Sequence, residues 1–182
     1  MNTANPIQRE LEKLDEQWED FLSSKLPILR WYFSPDDIEL GLGFIKTKEQ
    51  LDEKNPELFI HLHSEFTAVD TFSHTLAEEM NAMIEEGIAD ALLEETESQT
   101  QATTDHNWIK PDLRDSRTGY NALFRSCINA LQAFEDYVHY IVIVITPAAI
   151  KNPRQYTQWW DQCCEINSRY QWPANLKLVF FD

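Results

Sequence analysis

The sequence predicts an α/β domain of three layers, with a mostly parallel sheet of about four or five strands flanked by helices. Three observations carry this reading. Apolar runs of six or seven residues alternate with amphipathic stretches of helical period along the chain. The clearest run, Tyr140-Ile141-Val142-Ile143-Val144-Ile145-Thr146, is apolar on both faces, as a central strand covered from either side must be. At 182 residues, with 43% hydrophobic side chains, the chain is long enough to bury one core without metal or disulfide staples.

The elements follow in order. Ile7, Leu11, Leu14, Trp18, Phe21 and Leu22 recur at three- and four-residue intervals, which predicts an amphipathic helix over 7–22. Pro27 ends that region, and the run from Ile28 to Phe33 predicts an aromatic-rich strand. Ser34-Pro35-Asp36-Asp37 combines a capping hydroxyl, a first-turn proline and two acids, the signal for a helix reaching Leu51. Gly41 and Gly43 weaken its middle. Leu58 to His63 predicts a second strand, and Thr67 to Glu86 a helix that Gly87 stops or kinks before Ile88 to Glu95. Residues 94–107, rich in Thr, Gln and Glu, predict a surface loop. A long helix is expected over 119–138, then the central strand, a helix capped by Asn152-Pro153 and reaching about Asn167, and a last strand from Leu176 to Phe181. The whole reads as a single domain over 1–182. Two variants stay open: a helical extension over 1–25, and a fragment of a longer chain, since Asp182 directly follows an apolar strand.

The formal charge of −16 would repel phosphate backbones and anionic membranes, so neither nucleic acid nor a membrane is an expected partner. A basic protein surface would instead be steered towards the chain. Met1 to Asp15 lacks the basic start and apolar stretch of a signal peptide, and no apolar run approaches the length of a membrane span. Cys127, Cys163 and Cys164 are an odd set, and two of them are adjacent, which suits reduced, mostly buried thiols. A cytoplasmic location is the expectation.

A parallel sheet invites a nucleotide, but the parts are missing. The four glycines fall in neither G-x-x-x-x-G-K-[ST] nor G-x-G-x-x-G, and Pro147 after the central strand has no amide hydrogen to offer. No cofactor is expected. The serines lack a nucleophile elbow. Asp161 and Glu165 beside Cys163 and Cys164 disfavour a reactive thiolate. His61 and His63 sit two apart on a strand, so both imidazoles share a face and are the candidate metal ligands, with Glu65, Asp70 and His74 as further donors. H-x-H alone is more often a hydrogen-bonded pair on a half-buried strand. The aromatics offer another site: Trp159 and Trp160 are adjacent on a helix, about 100° apart, and Trp108 and Trp172 fall at connections. Core packing is the ordinary role of such residues, but the expectation here is that Trp159, Trp160, Trp108 and Trp172 serve as exposed partner contacts.

Three segments taken together carry a resemblance. They are Leu58 to His63 with Phe72-x-x-x-Leu76-Ala77-Glu78-Glu79-Met80, the helix from Ala122 to Tyr137, and Ile141 to Pro147 with the capped helix from Pro153 through Trp159 to the strand at Leu176. Their order is similar to that of bacterial accessory or co-chaperone proteins encoded beside type VI secretion effectors. It also resembles the layout of degenerate signalling NTPase domains without a phosphate loop. The resemblance implies a non-enzymatic adaptor or co-chaperone whose partner is a chaperone or secreted effector with a basic or apolar surface. No catalytic residue carries over. The alternatives are a metal-dependent enzyme using His61 and His63, and an oligomerising domain of a signalling protein.

Overall fold

The computed structural model describes residues 5–34, 36–51, 57–98, 108–115, 119–169 and 172–181. Among them are five α-helices and four strands, in the order α1 (Pro6–Ser23), β1 (Ile28–Trp31), α2 (Ile38–Leu51), β2 (Glu57–Leu62), α3 (Val69–Ser98), α4 (Gly119–Phe134), β3 (Tyr140–Ile145), α5 (Pro153–Arg169) and β4 (Leu176–Phe181). The strands form one all-parallel sheet in the order β1-β4-β3-β2. The sequence reading of a three-layer α/β domain therefore stands.

The strand order decides which face each helix covers. The β2-to-β3 and β3-to-β4 connections step one way across the sheet, whereas β1-to-β2 crosses it in the opposite direction. Right-handed crossovers then place their helices on opposite faces. On one face α3, α4 and α5 bury Phe72, Leu76, Met80, Leu123, Leu131 and Trp159 against Ile141, Ile143, Leu178 and Phe180. On the other, α1 and α2 bury Leu14, Trp18, Phe21, Phe44 and Ile45 against Trp31, Val142, Val144, Val179 and Phe181. The alternation along β3 and β4 between these two cores is the period-two pattern of a strand covered on both sides.

Local chemistry sets the boundaries. Asn5 caps α1 by accepting the Ile7 amide on Oδ1 at 3.1 Å, with Pro6 in the first turn, and Asn152 receives the Gln155 amide at 3.2 Å to open α5. The structure corrects four boundaries. β1 stops at Trp31, because Tyr32 and Phe33 lead into a turn in which Ser34 O accepts the amides of Asp37 and Ile38. That turn delays α2 to Ile38, beyond the capping signal at Ser34. α3 runs through Gly87 without a break: an exposed helical glycine weakens a helix by about 1 kcal/mol, which a long helix packed on α4 absorbs. α4 ends at Phe134, where a turn brings the amides of Tyr137 and Val138 onto Phe134 O. The first stretch of the expected 94–107 loop, to Ser98, continues α3; the remainder lies outside the described residues.

α1 is a structural layer, not an appendage. Its C-terminal end is pinned by Lys177, a fully buried residue near the start of apolar β4. Lys177 Nζ donates to Phe21 O at 3.0 Å, Ser24 O at 2.8 Å and Leu26 O at 3.1 Å, and it lies over the Phe21 ring. Tyr140 Oη adds a bond to Leu22 O at 3.3 Å. A cation set among the final carbonyls of a helix satisfies acceptors that have no partner within the helix.

Candidate functional site

In open α/β sheets ligands gather beyond the carboxyl ends of the strands, where loop amides and helix N-termini face phosphate. Here several of the loop amides are engaged inside the fold. After β2, the amides of His63 and Ser64 donate to the two carboxylate oxygens of Glu79 at 2.7 and 3.0 Å, and Ser64 Oγ adds a bond at 2.6 Å. After β3, the amides of Thr146 and Ala148 donate to Leu62 O and His63 O, each at 2.9 Å. Beside β1 and β4, the rings of Phe33 and Phe181 stack at 5.6 Å, so close to Gly41 that a β-carbon there would lie 2.6 to 2.7 Å from them. The opening of α2 carries Asp36, Asp37 and Glu39, a charge set that repels phosphate. A cleft of about 430 Å³ does lie off the end of β1, lined by Leu14, Trp31, Phe33 and Leu40 together with Lys13 and Asp37.

His61 and His63 do share a face, with rings 6.2 Å apart and nearly parallel. Their other contacts divide them. His61 Nε2 lies 3.4 Å from Glu49 of α2, and His63 Nδ1 lies 2.7 Å from Thr146 Oγ1. Burial holds the His61 pKa below its usual value, outweighing the attraction of Glu49, so this imidazole favours the neutral form. Of the further donors expected from sequence, Glu65 pairs with Lys151 and His74 faces Glu78 at 3.6 Å. Among the described residues no group of three or more His, Cys, Asp or Glu side chains is placed to hold one metal ion. The thiols are also poor nucleophiles. Burial pushes Cys127 and Cys163 up, and burial together with Asp161 raises Cys164, which is exposed and not buried as expected.

The tryptophans separate sharply. Trp159 is fully buried; its Nε1 donates to Ser73 Oγ at 2.7 Å and its ring packs on Phe72 and Phe180. It is a core residue, and the expectation of an exposed contact there is corrected: α5 turns this side of its surface onto the sheet. Trp108 and Trp172 are half-buried against the same core, Trp172 edge-on to Phe124. Trp160, about 100° round the helix, packs edge-on to Phe180 at 4.5 Å and reaches the surface. There the Arg30 guanidinium lies 4.7 Å from the Trp160 ring and 4.5 Å from the ring of Tyr32, which is 71% exposed. Of the four residues singled out from sequence, Trp160 alone joins an accessible aromatic and cationic cluster of the kind that anchors partners.

A larger feature escaped the sequence reading. Between α1 and α2 runs an outward-facing groove of about 740 Å³, within the range of roughly 300–1,000 Å³ typical of ligand sites. Leu11, Leu40, Gly43 and Phe44 form its apolar floor, and Gln8, Glu12, Asp15, Glu39 and Lys48 stand around it. Lys48 is held by Asp15 at 2.7 Å and Glu19 at 3.0 Å; burial lowers its pKa, and these carboxylates outweigh that and leave it raised. The apolar stripe of α1 does extend past the core through Leu11 to Ile7, which is 56% exposed, and this surplus was the available signal.

No family model, curated protein or solved structure matches this chain. The function must therefore be argued from the surfaces just described. No helix among the described residues is long and apolar enough to cross a membrane.

Proposed function

We propose that this chain is a non-enzymatic protein-binding adaptor of the co-chaperone kind, acting in the cytoplasm on a partner with a basic or apolar surface. One observation carries the reading: an apolar groove opens outward between α1 and α2 under a rim of carboxylates, on a chain of net charge −16. Such a surface attracts cationic protein segments at long range and offers them desolvated contact at short range. The commitment of the sheet's carboxyl edge to Glu79, Phe33 and Phe181 supports the non-enzymatic part of the reading. Loading of a type VI secretion effector is the specific task that the sequence resemblance implies, and it belongs to this proposal.

Co-expression of the full chain with the products of adjacent genes tests it. The expected result is a stoichiometric complex on size exclusion that weakens as salt is raised, because exposed charges are screened. A chain that stays free of every such product, or that turns over ATP or GTP, overturns the proposal.

A further inference from the structure

What the groove between α1 and α2 receives can be argued from its own chemistry, on the footing of the protein-binding reading above. Its floor is apolar and contains an empty step: a β-carbon added at Gly43 would have no atom within 4 Å. Its rim is left negative. The basic lining residue, Lys48, is already paired with Asp15 and Glu19, whereas Glu12 receives only the neutral amide of Gln8 and Glu39 has no ion pair among the described residues. Its walls are two helices, and among the described residues this face of the sheet carries two where the opposite face carries three.

We propose that the groove binds a basic amphipathic helix of a partner protein. Apolar side chains spaced i, i+4 and i+7 enter between Leu11, Leu40 and Phe44, and flanking Lys or Arg side chains meet Glu12 and Glu39. Charge selects this occupant over the others. A second copy would bring its own net −16, and an anionic lipid surface would be repelled.

The probe is a labelled helical peptide of about 14 residues, four turns, with leucine on one face and lysine on the other. Its binding to the full chain is followed by fluorescence anisotropy. Saturable binding to the wild type is expected. Gly43→Leu, whose β-carbon enters open space, should weaken it about ten-fold while leaving Tm at or above the wild-type value. Joint reversal of Glu12→Lys and Glu39→Lys should weaken it by about as much or more. Joint reversal of Glu135→Lys and Asp136→Lys, exposed residues beyond the end of α4, changes net charge equally and should leave binding within about two-fold. Equal weakening by the two reversals would reduce the effect to general charge attraction and overturn the proposal. So would binding indifferent to Gly43→Leu, or concentration-dependent dimers that Gly43→Leu abolishes. A native complex that survives Gly43→Leu sinks the groove alone; a probe seated in the groove without any native complex sinks the adaptor reading alone.

Discussion

Gly41 and Gly43 lie two residues apart in α2, and by propensity both are equal weaknesses of one helix. Their surroundings make them opposites. Gly41 lets the helix close onto the stacked rings of Phe33 and Phe181, whereas Gly43 faces open space. Gly41→Ala should therefore destabilise by about 1–3 kcal/mol through overpacking, while Gly43→Ala should stabilise by about 0.5–1 kcal/mol through lost chain entropy. Urea unfolding of the two variants checks this, and equal effects of one sign would show that the Phe33–Phe181 contact does not constrain the helix. The difference was invisible in the sequence because it depends on how Phe33, before the helix, and Phe181, on β4, come together against it. Trp159 and Trp160 teach the same lesson. Their 100° separation was legible, but which of them would face Ser73 and Phe72 was a matter of how α5 rolls on the sheet.

At the level of whole elements the sequence spoke most clearly where one rule applied without competition. β3 had no polar residue between its first tyrosine and Thr146, and it is covered on both faces as expected, buried from Ile141 to Ile145. β4 shows the opposite case, a lysine inside an apolar run whose purpose only appears once α1 is docked. Lys177→Met keeps the length of the side chain and its apolar stem but removes three hydrogen bonds to Phe21, Ser24 and Leu26. The substitution should cost about 2 kcal/mol, lowering Tm by roughly 4–8 °C. The damage should be local to α1 and read as faster hydrogen exchange in its last turns; protection there equal to wild type would mean the carbonyls find other partners. Burial also lowers the Lys177 pKa. A folded pKa below the unfolded value makes stability rise with pH as the unfolded chain's lysine loses its proton, so in the alkaline range the wild type should gain on Lys177→Met.

For the molecule as a whole, layer order and parallel pairing followed from alternating element types, but strand order did not. Neither periodicity nor composition says that β1 lies beside β4; that depends on which helices share a face, and hence on α1 and α2 packing together across Trp18, Trp31 and Phe44. The candidate site was less legible still. A groove is a gap between two helices, so no single segment encodes it. Net charge, by contrast, is a property of the entire chain. With 31 acidic against 15 basic residues, self-repulsion opposes the compact state. Raising NaCl from about 20 to 200 mM shortens the Debye length from roughly 20 to 7 Å and should raise Tm by a few degrees. A Tm that falls over this range would show that local ion pairs such as Lys48 with Asp15 matter more than the global excess.

The order β1-β4-β3-β2 also has a consequence for biosynthesis. β1 has one neighbour in the sheet, and that neighbour is the last of the four strands to emerge from the ribosome. Until Leu176–Phe181 has been translated, Trp31 lacks Phe181 and the end of α1 lacks Lys177, while the slot between β1 and β3 stands open. Ordering of β1 and the end of α1 must therefore wait until β4 has been made, and closure of such distant pairings is slow. A nascent chain in this state exposes apolar edges on both sides of the slot, which favours aggregation until β4 pairs.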